Sequence, residues 1–418
     1  MPRRKKLRLL LLISLPTLLL ALGAVAALWF AGGFPSQMYD ELREIRVLGR
    51  SEARPFRILA IGDSFMDRWP LKHYLRKDLF VYAEERELGL VVDAMGGWGP
   101  FDYRAAMGQR TTGSSKFEPS LVILFYHVGN DLTDTIRVLA TPLPEHLRDD
   151  KAGGTPPPTH PPTGLQPSPS HPAPFVRPGG GATKQMFLPL SCGDHEEVRH
   201  PKPPEPKEED YNWKRMKEHG VQADLIAAAR TSLGDGKVGD EMVSATLLSS
   251  AVANPTLFTQ NVLVDDEMSK KSWIMVKAQL KWLFDLARMS GADIALVIIP
   301  SMVQVSRAQE PFLKKANFTI DEKIWTGSRP QKLLRSFCFE HKVMVLDLLP
   351  FLRKRPDRQK LYWKNDDHLS GLGHEVSFKI IKEKLLDPWY RNKQRSPKDR
   401  ERDHQQHRDP PGPPAKHQ

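Results

Sequence analysis

Cysteine is almost missing: Cys192 and Cys338 are the two in 418 residues, and they form no C-x-x-C pair. At most one disulfide is available, which excludes a cysteine framework, an iron–sulfur cluster and a cysteine zinc site. Outside the proline-rich stretch and the tail, no H-E-x-x-H segment and no close histidine pair occurs, so the three protein ligands of a zinc hydrolase are not supplied there; His404 and His407, in the tail, have a spacing that gives casual metal affinity only. An internal repeat is also lacking. So is a basic body. The net charge of +11 concentrates at the ends, with five basic and no acidic side chains in residues 1–8 and eight basic against four acidic in residues 391–418. The near-neutral remainder argues against a groove for nucleic-acid phosphates.

What the chain does have begins with Leu9 to Phe34, 26 residues without a charge. As a helix this run reaches about 39 Å, enough to cross a hydrocarbon core of about 30 Å. The expectation is an uncleaved single-pass anchor over residues 1–35 rather than a removed signal, although Ala24-Val25-Ala26 has the small-x-small form of a cleavage site. The basic cluster at residues 3–8 then stays in the cytoplasm, and the rest of the chain is extracytoplasmic. From Thr155 to Pro206 the composition turns to Pro, Gly, His, Ser and Thr, including Pro156-Pro157-Pro158 and Gly179-Gly180-Gly181. Such a stretch builds neither ladder nor core and is read as a disordered insertion, followed by a small helical lobe over about 211–252. The expected organisation is therefore an anchor (1–35), one domain in two parts (51–140 and 268–390), the insertion with its lobe (141–267) and a solvated tail (391–418).

The two parts alternate short apolar runs with helical patterns. The runs are Arg57 to Ile61, Leu90 to Ala94, Leu121 to Phe125, Ile294 to Ile299 and Val343 to Asp347. Continuous β-branched runs fit strands covered on both faces, and helical patterns near 69–87, 101–109, 269–290, 328–341 and 371–387 supply the covers. This predicts an α/β fold, a three-layer α/β/α sandwich on a five-stranded parallel sheet, with ligands outside the carboxyl ends of the strands.

Polar residues stand at those ends. The first run leads into Gly62-Asp63-Ser64, the second into Gly96-Gly97-Trp98-Gly99, the third into His127-Val128-Gly129-Asn130-Asp131, and Asn365-Asp366-Asp367-His368 follows the fifth. A hydroxyl, a backbone N–H unobstructed by a Cβ, a side-chain amide and an Asp/His pair are the parts that acyl transfer requires. His374 competes with His368 as a base but has no carboxylate two residues before it, and reads as a packing residue. His127 reads as a support for the end of the third strand. Trp98 and Trp363 flank the expected crevice, where packing is the plainer role and sugar stacking the more specific one.

Gly62-Asp63-Ser64, Gly97, Gly129-Asn130-Asp131 and Asp366-x-His368 resemble, in order, the four sequence blocks of the SGNH/GDSL hydrolase superfamily. The resemblance covers residues 51–140 and about 268–390 and implies a flavodoxin-like sheet and an esterase-like activity without a cofactor or metal. It implies Ser64 as nucleophile, His368 as base and Asp366 as the acid that holds the imidazole. An oxyanion hole would come from the N–H groups of Ser64 and Gly97 and the amide of Asn130. Phe65 stands where many members have leucine. The usual Asp-x-x-His spacing would put Asn365 in the acid's place, whereas the Asp-x-His variant fits Asp366. The implied substrate is an O-acyl ester, with acetyl groups on an extracytoplasmic glycan as the expectation. The alternatives are a polysaccharide O-acyltransferase with the same triad and a non-catalytic glycan-binding protein.

Overall fold

The computed structural model describes residues 36–66, 74–112, 117–140, 211–235 and 242–395. The anchor expected over 1–35, the proline-rich stretch and the end of the tail lie outside these residues. Among the described residues no helix is long and apolar enough to cross a membrane.

All five apolar runs are strands: β1 (Arg57–Gly62), β2 (Gly89–Ala94), β3 (Leu121–His127), β4 (Asp293–Ile299) and β5 (Met344–Asp347). They form one parallel sheet in the order β2-β1-β3-β4-β5. Every residue of β3 is buried, as are Ile294 to Ile299 of β4, which is why these runs carry no polar alternation. The edge strand β5 is shorter and leaves Met344 exposed. Helices Pro100–Thr112, Glu267–Met289 and Arg329–Glu340 form one covering layer, in which Phe284 and Phe337 pack with ring centroids 5.8 Å apart. Ser36–Arg50, Leu75–Glu85 and Gly371–Ile381 pack together as the other. The α/β/α sandwich expected from the sequence is the architecture observed.

Three features depart from the sequence pattern. Helix Ser36–Arg50 was not anticipated; it is held to Leu75–Glu85 by paired charges, with buried Glu44 accepting from Arg76 Nε and Nη2 at 3.1 and 3.0 Å. Helices Trp213–Glu218, Ala223–Asp235, Ala245–Ala253 and Leu257–Leu263 extend the expected lobe to residue 263, and Met216, Leu248 and Phe258 join the same continuous core as the sheet. The last helix, Asp387–Gln394, takes in Arg391 to Gln394, which were assigned to the tail. Its Trp389 packs edge-on against Phe56 and donates to Asp293 at 2.8 Å.

The strand order reverses beside β1: from β1 the chain moves outward to β2, then returns to β3 on the other side. Loops leaving β1 and β3 therefore diverge, and a crevice opens at their carboxyl ends.

Candidate active site

At the end of β1 the chain turns sharply. Asp63 is fully buried, and its Oδ1 accepts the N–H of Phe65 at 3.0 Å, while Met66 N–H returns to the Asp63 carbonyl. This local turn starts the short 3-10 segment Ser64–Met66 and leaves Ser64 half-buried at the sheet rim. Gly96 lies beside it: a Cβ built there would stand 3.8 Å from the Ser64 Cβ. Gly97 has φ +76°, a left-handed conformation that favours glycine.

The partner of Ser64 comes from 304 positions away. His368 Nε2 stands 2.8 Å from Ser64 Oγ, and His368 Nδ1 stands 2.7 Å from Asp366 Oδ1. With Asp366 as acceptor, Nδ1 carries the proton, so Nε2 is the lone pair that faces the serine hydroxyl. The Asp-x-His spacing thus brings Asp366 to the ring. His374, by contrast, is fully buried and accepts the Leu75 N–H on Nδ1 at 3.3 Å, which makes it a helix-supporting residue.

A small hairpin carries the acid–base pair. Tyr362 and Leu369 form an isolated antiparallel bridge, Trp363 N–H donates to the His368 carbonyl at 3.1 Å, and Ser370 N–H donates to the Leu361 carbonyl at 2.9 Å. The Tyr362 hydroxyl pins the hairpin to the Pro300 carbonyl beyond β4.

Asn130 sits at the end of β3. Its Oδ1 is 2.8 Å from His127 Nδ1, and its amide also faces the Asp63 carboxyl, helping to hold that acid's proton affinity down. Phe65 links the two halves of the site, with its ring 4.2 Å from the His127 ring and 5.3 Å from the His368 ring. Phe65, which stands where many members of the resembled superfamily have leucine, therefore touches both imidazoles. Asp131 clamps the same turn by accepting from His127 N–H at 3.0 Å and from the Tyr103 hydroxyl.

Two residues of the site were not singled out from sequence. Asp367 Oδ1 is 3.4 Å from His368 Nδ1, and its only signal was a doubled acid before the histidine. Asn261 is buried on helix Leu257–Leu263, donates to the Gly129 carbonyl at 2.7 Å and accepts from Thr133 N–H at 3.2 Å. It braces the loop that presents Asn130, and nothing in a lone asparagine 131 positions later marks it.

Electrostatics separates the groups. Burial opposes charge on His368, but the charge and hydrogen bond of Asp366, with Asp367 and Asp63 behind, outweigh it and raise the imidazole's pKa. Asp366 is likewise opposed by burial, yet His368 lowers its pKa, while burial and the Asp366 charge raise that of Asp367. One carboxylate is thus ionised against the ring and its neighbour retains a proton more readily. Burial lifts Asp63 to about 6 and pushes His127 and His374 down to about 3, keeping both of these imidazoles neutral. Asp366, Asp367 and His368 also offer three ligand-type atoms within 4.8 Å of one another. A cation taking His368 Nδ1 would displace the proton that Asp366 accepts.

A nucleophile-type hydroxyl, an imidazole and a carboxylate in hydrogen-bonded sequence can move a proton away from the hydroxyl as it attacks an electrophile. No family model matches the chain, and no curated protein matches it. Solved structures similar to it include a lipase/acylhydrolase from Enterococcus faecalis, at 10% identity and a TM-score of 0.31, covering 78% of this chain and 96% of that one. Another is a candidate acylhydrolase from Bacteroides fragilis, at 9% identity and a TM-score of 0.33, covering 82% of this chain and 95% of that one. At these values the likeness carries no functional weight, and the architecture stands on the strand order itself.

Proposed function

We propose that the protein is a serine ester hydrolase of the SGNH type, acting on O-acyl esters through an acyl-enzyme on Ser64. The observation that supports this reading is the unbroken chain from Ser64 Oγ to His368 Nε2, at 2.8 Å, and from His368 Nδ1 to Asp366, at 2.7 Å. Ser64 Oγ attacks the ester carbonyl as His368 Nε2 takes its proton, and Asp366 stabilises the resulting imidazolium. The N–H groups of Ser64 and Gly97 and the amide of Asn130 receive the oxyanion. Collapse breaks the C–O bond to the alcohol, which leaves with the proton from Nε2. Water, deprotonated by the same nitrogen, then attacks the acyl-enzyme, and collapse releases the carboxylic acid and restores the Ser64 hydroxyl.

The substrate in this reading is an acylated glycan outside the cytoplasm, with acetyl as the acyl group. The uncharged run from Leu9 to Phe34 behind its basic cluster supports a membrane-anchored enzyme whose catalytic domain faces away from the cytoplasm. The test treats full-length protein with a fluorophosphonate probe and compares wild type with Ser64→Ala and His368→Ala. Labelling and acetyl-ester turnover should be present in wild type and lost in both variants. Labelling that persists without Ser64, or a wild type that neither labels nor releases acid, would remove the reading.

A further inference from the structure

The last residue of β3 is a second imidazole that takes no part in the proton path above. His127 is 1% exposed, its ring lies against Phe65, and its Nδ1 meets Asn130 Oδ1 at 2.8 Å. Gly129 makes room for it, because a Cβ there would fall 2.2 Å from the His127 Cε1. Asp63 also faces this nitrogen, with its Oδ2 3.7 Å away.

The protonation state follows from burial. His127 Nε2 has no hydrogen-bond partner. If Nε2 carried the proton, a buried N–H donor would be orphaned, whereas a buried lone pair left unpaired costs less. The neutral ring therefore carries its proton on Nδ1 and donates it to Asn130. That donation, together with the Asp63 carboxyl that the amide also faces, selects the amide's orientation, since a carboxamide has one oxygen and one NH2, and fixing the oxygen fixes the other.

We infer that His127 is a positioning residue that sets the rotamer of Asn130, holding its Oδ1 inward so that its NH2 is the end available to the oxyanion. This rests on the esterase reading for its consequence, though the hydrogen bond itself does not. His127 donates no proton to substrate. It acts through Asn130, and the Gly129 space and the Phe65 ring hold it in place.

The test uses full-length wild type, His127→Leu, His127→Asn, Asn130→Ala and the His127→Leu/Asn130→Ala double variant. Leucine fills the space without a donor, and asparagine can place an amide N–H near the site of Nδ1. His127→Leu should lower kcat by about 10- to 100-fold with KM nearly unchanged, part of the loss typical of one missing oxyanion donor. His127→Asn should recover most of it, and in the Asn130→Ala background the leucine change should cost no more than about twofold. A wild-type kcat in His127→Leu, equal loss in the leucine and asparagine variants, or full additivity in the double variant would overturn the inference. Nitrogen-15 spectra of labelled histidine read the tautomer independently of turnover, with Nδ1–H expected and Nε2–H contradicting it. If wild type neither labels at Ser64 nor cleaves esters, the esterase reading fails, and the tautomer then judges the His127–Asn130 bond by itself.

Discussion

Neutralising Asp366 tests how far the neighbouring acid can take its place. In a Ser-His-Asp site with one carboxylate, replacing it by asparagine costs about 10⁴ in kcat, or about 5.4 kcal/mol at 1.36 kcal/mol per decade. Here a second carboxylate lies at 3.4 Å from the same ring nitrogen that Asp366 approaches to 2.7 Å. Burial and, behind it, the charge of Asp366 raise its pKa, and Asp366→Asn removes the second of these, so that Asp367 ionises more readily. Coulomb attraction falls as 1/r, and the replacement recovers roughly four-fifths of the through-space attraction. It does not recover a charge-assisted hydrogen bond, which needs about 2.7–2.9 Å and is worth about 1.5–3 kcal/mol. Asp366→Asn should therefore lower kcat by about 10- to 150-fold, and Asp366→Asn/Asp367→Asn by about 10⁴. Steady-state hydrolysis of an activated acetyl ester, with circular dichroism as a check on folding, measures both. A single variant as inactive as the double would show that Asp367 plays no such part, and undiminished turnover in the double would refute the role of Asp366.

Two further outcomes follow from the titrating groups. His368 works as a base only when neutral and its pKa is raised, so kcat/KM should climb with pH along a limb lying above the ordinary imidazole value of about 6.5. Asp367→Asn should move that limb toward acid, and a limb at or below about 6.5 that ignores the substitution contradicts the arrangement. Buried His374 is depressed to about 3, so the stability tied to its neutrality is present above the unfolded value and lost as pH falls from about 6.5 toward 3. In urea titrations the stability advantage of wild type over His374→Gln should shrink over that window by up to about 1.36 kcal/mol per pH unit, and a constant difference would count against it.

The sheet was legible because burial on both faces strips the polar alternation from a strand; Leu121 to Phe125 needed no other signal. Ser64 and Asn130 were legible because each stands where an apolar run ends, and in a parallel sheet those ends share one edge, whereas Asp366 and His368 lie about 20 positions beyond β5 and were marked by their Asp-x-His spacing. Helix Ser36–Arg50 was harder, since its docking depends on Glu44 meeting Arg76, a pairing that local periodicity does not reveal. The membership of Met216 and Phe258 in the main core depends on contacts across the proline-rich interruption. Asn261 and the Asn130 face of His127 were invisible for the same reason: their meaning is a partner's position, and hydrogen-bond partners on different elements leave no spacing in the chain.

The hairpin that carries Asp366 and His368 is closed by bonds among its own backbone atoms and moored at Tyr362. The site is accordingly an assembly of two rigid pieces, one bearing the hydroxyl and the other a pre-assembled proton acceptor. A disturbance beneath the hairpin would displace imidazole and carboxylate as a unit, opening the gap to Ser64 while their mutual contact survives. Damage of that kind would leave an intact relay with nothing to activate, which separates faults of alignment from faults of chemistry at a single interatomic distance.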